Sequence, residues 1–103
     1  MLIEQQDTEK GIRFFVKGSL SGTVNSTIAL FEKVSMTLEG NPAEILLDVS
    51  KVVYIDSMSI GLLVGVLLKC KEKNISFRIE NPTKEVAQIL ETTQLKKVFP
   101  DLY

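Results

Sequence analysis

The alternation of apolar and polar residues divides the chain into short strands and helices, separated by glycine, proline and asparagine. Residues 2–6 and 12–17 have the composition of two strands, and the turn-forming segment 7–11 between them ends in glycine, which predicts a β-hairpin. Residues 44–49 form a nearly continuous apolar run, which is typical of a strand covered on both faces. A further strand is predicted at 76–80.

Apolar residues at helical spacing predict three helices between and after these strands. A small polar loop at 18–22 leads into the first helix, residues 23–39, which ends at a glycine. The second helix is predicted at 57–73. The asparagine and proline at 81–82 are interpreted as a cap and the first helical residue of the third helix. The buried side of the first helix is assigned to Ile28, Phe31, Val34 and Leu38, and that of the third to Val86, Ile89 and Leu90.

The order of these elements, β-β-α-β-α-β-α, predicts an α/β fold with a mixed sheet. About four to five strands and about three to four helices are expected, with the helices on one or both faces of the sheet. Right-handed crossover connections restrict the topology further. A length of 103 residues with 45% hydrophobic content predicts one compact domain over residues 1–103.

Composition and charge argue against several classes of function. Twelve Lys and Arg residues against thirteen Asp and Glu residues, with no run of like charge, give no nucleic-acid footprint. The start of the chain lacks a signal peptide and its longest apolar run, 57–68, is too short to span a bilayer, which predicts a cytoplasmic protein without membrane insertion.

The chain contains no histidine, which removes the usual general base and the commonest metal ligand. The six glycines are scattered and form no phosphate-binding loop. We therefore expect no catalytic residues, no metal and no cofactor. The single cysteine, Cys70, lies in a helical pattern and is interpreted as a small buried hydrophobe rather than a redox group.

The junction at Asp56 and Ser57 is the chief candidate site, because a strand-like apolar run ends there and a helix-like run begins. A helix start offers unpaired backbone N–H groups and the positive end of a dipole, which suits a phosphate on the serine. The simpler interpretation is that one of the two residues is only the N-cap, worth about 1 kcal/mol. Residue chemistry alone leaves both interpretations open.

The second predicted helix carries apolar residues on two sides. At 100° per residue, one face would press on the sheet, whereas the opposite face combines three apolar side chains with lysines. The second face is a candidate docking patch for a protein partner. Two other interpretations of this face remain open: a third element covers it, or its apolar residues are scattered exposed hydrophobes. The first face consists of Ile60, Leu63, Val64 and Leu67, and the second of Met58, Leu62 and Val66 with Lys69 and Lys73.

Several stretches taken together resemble one known family. They are Glu-Ile-Leu-Leu-Asp-Val-Ser at 44–50, Val-Tyr-Ile-Asp-Ser at 53–57 and Ile-Gly-Leu at 60–62. In element order and spacing the chain resembles the STAS domain family, the fold of sulfate-transporter and anti-sigma factor antagonist domains, which commonly shows Asp-Ser-Ser-Gly-Leu-Gly at this junction. Asp56, Ser57 and Gly61 match that pattern, whereas Met58, Ser59 and Ile60 replace its other positions. Gly-Ser-Leu at 18–20 resembles the family's Gly-Glu-Leu-Asp loop, with Ser21 where the acidic residue is often found.

The resemblance implies a bacterial anti-sigma factor antagonist that acts in transcription regulation. In the soluble antagonists, a partner anti-sigma factor with serine protein kinase activity uses ATP to phosphorylate the serine that corresponds to Ser57. The unphosphorylated antagonist binds this partner and frees the sigma factor, and the phosphorylated form is released. A monomer or weak dimer is expected. The implied phospho-site surroundings are Asp56, Ser59, Ser21 and Gly61, with Ser59 as a second candidate acceptor, and the implied partner-binding residues are Met58, Leu62, Val66 and Lys69.

Two other hypotheses remain open beside the phosphorylated antagonist. One is a STAS scaffold or accessory subunit of a stress-signalling assembly or a transporter, which would bind protein through the same surface without phosphate turnover. The other is an enzyme, although no base, metal cluster or nucleotide loop accompanies the serine.

Overall fold

Four strands form one mixed sheet in the computed structural model, which describes residues 2–21 and 25–103. The strand order is β1-β2-β3-β4, with β1 antiparallel to β2 and the strands β2, β3 and β4 mutually parallel. This arrangement confirms the predicted hairpin and mixed sheet. The strands are β1 (Leu2–Asp7), β2 (Gly11–Leu20), β3 (Glu44–Ile55) and β4 (Ser76–Glu80).

Three α-helices complete the predicted order β-β-α-β-α-β-α. They are α1 (Asn25–Leu38), α2 (Ser57–Lys73) and α3 (Lys84–Thr93), followed by a 3-10 turn at Leu95–Lys97. Because α1 and α2 connect neighbouring parallel strands in the same direction, right-handed crossovers place both helices on one face of the sheet, where they contact each other. Helix α3 lies against β3.

Both β2 and β3 are longer than the sequence pattern predicts. Strand β2 continues through 18–20, a segment predicted as loop, and Gly18 absorbs a register shift there with a φ of 114°. Strand β3 continues past residue 49 to Ile55, because Val52 and Ile55 are buried and the pairing with β2 persists to the end of the strand. Tertiary pairing thus outweighs the local polar signal. The predicted helix residues Thr23 and Val24, and Gly22 of the predicted loop, lie outside the described residues.

Helix α1 is rotated slightly relative to the predicted face. Ile28, assigned to the core, is 38% exposed, and the side chains of Thr27 and Leu30 are buried instead. The buried residues of α1 recur at helical spacing and are Thr27, Leu30, Phe31, Val34 and Leu38.

Helix α3 begins two residues later than predicted. Its N-cap is Thr83, whose hydroxyl accepts a hydrogen bond from the backbone N–H of Val86 at 3.2 Å. Asn81 has a φ of 53° and its side-chain amide donates to Asp48 at 3.1 Å, so it serves the turn rather than the helix. The predicted cap at Asn81 with Pro82 as first helical residue is therefore wrong.

The core lies between the sheet and helices α1 and α2. Strand register places Phe14, Leu47 and Ile79 side by side on the inner face, and all three are buried. Cys70 of α2 belongs to the same cluster, and burial raises the pKa of its thiol to about 11. The interpretation of Cys70 as a buried hydrophobe is confirmed.

The C-terminal residues cover the outer edge of β4. The Leu102 carbonyl accepts a hydrogen bond from the Ile79 backbone N–H at 2.6 Å, and the Leu102 side chain is buried in the core. Tyr103 donates its hydroxyl hydrogen to Glu91 at 3.0 Å and lies under the Lys96 ammonium. The bond to Leu102 satisfies one edge N–H of β4 that would otherwise be open to another strand.

The face of the sheet opposite α1 and α2 carries a polar network. The Arg13 guanidinium donates to Glu80 across the sheet at 2.7 Å. Burial alone would raise the pKa of the Asp48 carboxyl, but hydrogen bonds from the hydroxyl and backbone N–H of Ser50 and from Asn81 outweigh it and hold this pKa below its ordinary value.

Gly11 is expected to tolerate no side chain. A Cβ at this position would overlap the backbone carbonyl of Glu44, so Gly11→Ala should lower the free energy of unfolding by about 1–3 kcal/mol or more, measured by urea denaturation. Gly40→Ala is the matched control, because its Cβ would lie 3.5 Å from the nearest heavy atom, Thr37 O. A loss below about 0.5 kcal/mol for Gly11→Ala would contradict the close approach.

Asp48 is expected to make the stability of the fold acid-sensitive. Because the pKa of Asp48 is lower in the folded than in the unfolded chain, its contribution is complete above the unfolded value of about 3.9 and is lost as the pH falls through the folded value. Asp48→Asn should destabilise the fold at neutral pH by about 1–3 kcal/mol and flatten the acid limb of stability against pH. Asp101→Asn, at an exposed position, should change neither quantity.

Candidate functional site

Asp56 joins the ends of β2 and β3 to the start of α2. It follows β3 directly and has extended N-cap geometry, and its Oδ1 accepts a hydrogen bond from the Ser59 backbone N–H at 2.8 Å. Its own backbone N–H donates to the Leu20 carbonyl at 3.0 Å, and its carbonyl accepts the first helical bond from Ile60. One residue therefore ends two strands and begins a helix.

Ser21 holds the second oxygen of the same carboxylate. Its hydroxyl donates to Asp56 Oδ2 at 3.0 Å, so the residue that follows β2 is tied to the cap of α2. A hydroxyl at this position can donate to the carboxylate, whereas a second carboxylate would repel it. The structure thus brings together Ser21 and Asp56, which are 35 residues apart in the sequence.

Ser57 is the first residue of α2 and its side chain is exposed. The backbone N–H groups of Ser57 and Met58 make no hydrogen bond within the described part of the chain. The Asp56 carboxylate accepts instead from the next backbone N–H, that of Ser59. Two N–H donors at the positive end of a 17-residue helix therefore lie beside an accessible hydroxyl. This geometry suits a phosphate ester on Ser57.

Ser59 lies two residues further along and points in the opposite direction. Its side chain has no exposed surface, and its hydroxyl has no hydrogen-bond partner among residues 2–21 and 25–103. A kinase cannot reach such a hydroxyl in the folded chain. Ser59 therefore contributes to the site through its backbone N–H, and its burial favours Ser57 over Ser59 as the acceptor, although the second candidate stays a prediction.

The predicted docking face of α2 borders a groove of about 580 Å³ between α1 and α2. Met58, at the start of this face, is 58% exposed, Leu62 is half-buried and Lys69 is exposed. Val66 is only 3% exposed and belongs to the core cluster, which corrects its assignment to an exposed partner-binding surface. It lies at the base of the groove because α1 packs against this side of α2.

Gly61 lies on the groove side of α2, one turn after Ser57. No heavy atom of the chain outside its own helix turn would lie within 4 Å of a Cβ built there, so no packing contact inside the described chain requires a glycine. The space beside Gly61 is open toward the groove.

Sequence reasoning missed the contribution of α1 to this surface. Ile28 and Met36 line the groove opposite α2, and Met36 is 70% exposed. Their separation of eight residues places them on the same side of a helix, which is a usable signal. The neighbouring position of α1 and α2 follows only from the strand order, which the sequence pattern did not provide.

Residues 2–21 and 25–103 contain no group of three or more His, Cys, Asp or Glu side chains arranged to hold a metal ion. Over the same ranges, none of the helices combines the length and apolar character needed to cross a bilayer.

Comparison with known proteins relates this geometry to one family. The family model of the STAS domain matches residues 5–103. An anti-sigma factor antagonist from Mycobacterium paratuberculosis has a similar structure, with a TM-score of 0.83 at 20% identity over 99% of this chain and 84% of that chain. The chain matches no curated protein sequence.

The anti-sigma factor antagonist SpoIIAA is similar in both of its solved forms. Its unphosphorylated form has a TM-score of 0.81 at 14% identity, over 99% of this chain and 86% of that chain. The phosphorylated form of the Bacillus protein has a TM-score of 0.74 at 15% identity, over 99% and 89%. At these identities the likeness establishes a shared fold.

Asp56 and Ser59 are expected to respond oppositely to removal of their side chains. Asp56→Ala removes the cap of α2 and the acceptor for Ser21, so the free energy of unfolding should fall by about 1–2 kcal/mol. Ser59→Ala removes an unpartnered buried hydroxyl and keeps the backbone N–H, so this variant should be at least as stable as the parent in urea denaturation. A loss above about 1 kcal/mol in Ser59→Ala would show that its hydroxyl is hydrogen-bonded in solution.

Proposed function

We propose that this chain, which belongs to the STAS domain family, is an anti-sigma factor antagonist switched by phosphorylation of Ser57. Its partner is an anti-sigma factor with serine protein kinase activity, and its setting is transcription regulation in the bacterial cytoplasm. The observation that carries the proposal is the position of Ser57, an exposed hydroxyl at the first residue of α2 beside an already formed cap.

The unphosphorylated chain presents an apolar surface directly beside this hydroxyl. Met58 is exposed next to Ser57, and Leu62 continues the surface one turn along α2 toward the groove. A partner that covers Met58 and Leu62 also covers Ser57, so binding and phosphorylation use the same surface. The chain then acts as a substrate and a binding partner, ATP supplies the phosphate, and the kinase supplies the ATP site and the catalytic groups.

Phosphorylation would change the charge of this surface more than its shape. A phosphoserine adds a charge of about −1.5 to −2 beside the Asp56 carboxylate. Because the Asp56 side chain is held by Ser59 and Ser21, it cannot turn away from the phosphate without breaking both hydrogen bonds. The N–H groups of Ser57 and Met58 offer the phosphate intramolecular donors, while its charge opposes the apolar contact of the partner.

Support for a two-state switch also comes from the comparison. SpoIIAA, which shares this fold over 99% of the chain, is known as an anti-sigma factor antagonist in unphosphorylated and phosphorylated forms. The chain also retains the aspartate and serine of the family motif at the strand–helix junction, as Asp56 and Ser57. Ser21, which stands in place of the loop acid, donates a hydrogen bond to that aspartate that a carboxylate could not donate.

Purified anti-sigma factor kinases from the same genome test the proposal directly. With the cognate kinase and Mg-ATP, mass spectrometry should find one phosphate, located on Ser57. Ser57→Ala should accept none, whereas Ser59→Ala, the matched control two residues away, should still accept one. Phosphate on Ser59 or on another residue in the parent chain would contradict the proposal.

Binding measurements test the switch separately from the phosphate transfer. In titration calorimetry with the same kinase, Ser57→Ala should bind as the parent does, and Ser57→Asp should bind at least about tenfold more weakly, a change of about 1.4 kcal/mol. Equal binding of both variants, without phosphate turnover, would instead favour a STAS scaffold or accessory subunit.

A further inference from the structure

Helix α2 carries a straight line of exposed residues, here called the seam, that extends beyond the groove at both ends. We define the seam as Met58, Gly61, Gly65, Leu68 and Glu72, which are spaced alternately three and four residues apart. This spacing keeps side chains on one line along a helix, as at the interface of two packed helices. All five residues are exposed, so no other part of the described chain covers the seam.

The central residues of the seam have no side chain, whereas the residues on either side have large apolar side chains. Gly61 and Gly65 have nothing within 4 Å of a built Cβ, whereas Met58 and Leu68 are 58% and 53% exposed. Glycine weakens a helix interior relative to alanine, and no contact within the described chain compensates for that loss. Two close-approach positions between two exposed apolar side chains form a surface shaped for another helix.

The charges at the two ends of α2 differ in sign. The N-terminal end has the Asp56 carboxylate, whereas the last turn carries Lys71 and Lys73 against Glu72, and Lys69 lines the groove beside the seam. A second helix running antiparallel to α2 would set its own carboxylate end beside these lysines, and its lysines beside Asp56. A parallel helix of the same sequence would bring like charges together.

We propose that the seam binds a second copy of this chain, with the two α2 helices crossing antiparallel about residue 63. The seam is self-complementary under this two-fold arrangement, because Met58 then faces Leu68 and Gly61 faces Gly65, each contact occurring twice. The same axis sets Lys69 opposite Ser57. An unrelated helix would have no reason to match this internal symmetry.

The groove between α1 and α2 accommodates the flanking side chains of the second copy. Its volume of about 580 Å³ borders Gly61, Gly65 and Lys69, and Ile28 and Met36 form its outer wall. A contact built mainly from one helix pair is small, so the dimer is weak and concentration-dependent. The second copy covers Met58, and it therefore excludes any partner that docks beside Ser57 for as long as it is bound.

Substitution of Gly65 separates the dimer from the fold. Leucine fits the open space at Gly65 and favours a helix more than glycine does, so Gly65→Leu should leave the monomer folded while preventing close approach. In sedimentation velocity over increasing concentration, the parent should show a monomer–dimer equilibrium that Gly65→Leu weakens at least about tenfold. Gln88→Leu, an exposed change on α3, is the matched control and should dimerise as the parent does.

Cysteine cross-linking tests the direction of the crossing. A mixture of Gly61→Cys and Gly65→Cys chains should form the mixed disulfide faster under mild oxidation than either chain forms its own, because residues 61 and 65 face each other only in the antiparallel pair. Native Cys70 is buried and does not compete. Preferred 61–61 and 65–65 links would overturn the antiparallel arrangement.

The parent protein remaining monomeric at all concentrations, or Gly65→Leu dimerising as the parent does, would overturn the proposal. These experiments use the unmodified chain without kinase, so their outcome is independent of whether Ser57 is phosphorylated. A seam that binds only the anti-sigma factor would appear as a monomeric parent whose kinase binding is weakened by Gly65→Leu, and this result would also overturn self-association.

Discussion

The parallel pairing of β2 with β3 is the constraint on which the functional end of the molecule depends. It survives two register shifts and continues to Leu20 and Ile55, so both strands end at the same height. Only for that reason does the Leu20 carbonyl meet the backbone N–H of Asp56, and only then can Ser21 reach the Asp56 carboxylate. The cap of α2 is thus a tertiary feature, although its hydrogen bond to Ser59 is local.

Two serines in the first turn of α2 show how helical geometry divides roles. Ser57 and Ser59 are separated by about 200° around the helix axis, so one side chain faces solvent and the other faces the sheet. Their chemistry is identical, and their accessibility is opposite. The sequence around them indicates a junction with several hydroxyl groups. The orientation of α2 relative to the sheet decides which of these hydroxyls is accessible.

The sequence was sufficient for the element order, for the bounds of α2 and β4 and for the change from strand to helix at Asp56 and Ser57, because each depends on local signals such as caps and periodicity. It was insufficient where a partner strand or helix decides the outcome. The extension of β3 across Ser50 and Lys51 depends on β2, and the burial of Val66 depends on α1. Helical spacing alone cannot report which neighbour will cover a face.

The same limit explains the start of α3. The dipeptide at Asn81 and Pro82 has the local signature of a helix start, but Asp48 on the neighbouring strand β3 accepts a hydrogen bond from the Asn81 amide, and Thr83 becomes the cap. A local propensity of this kind is worth about 1 kcal/mol, and a single tertiary hydrogen bond to a carboxylate is of similar or larger size. Short-range signals at element ends are therefore the first to be overridden.

Hydrogen bonds with Leu20, Ser21 and Ser59 hold Asp56, the residue before Ser57, in place. Because Asp56 is held in this way, little of its conformational entropy remains to be lost when its surface is covered. A preorganised surface of this kind associates without a folding step. If Ser57 is modified as we propose, the added charge lies beside a carboxylate that is already fixed, so no rearrangement of Asp56 has to precede its effect on a partner.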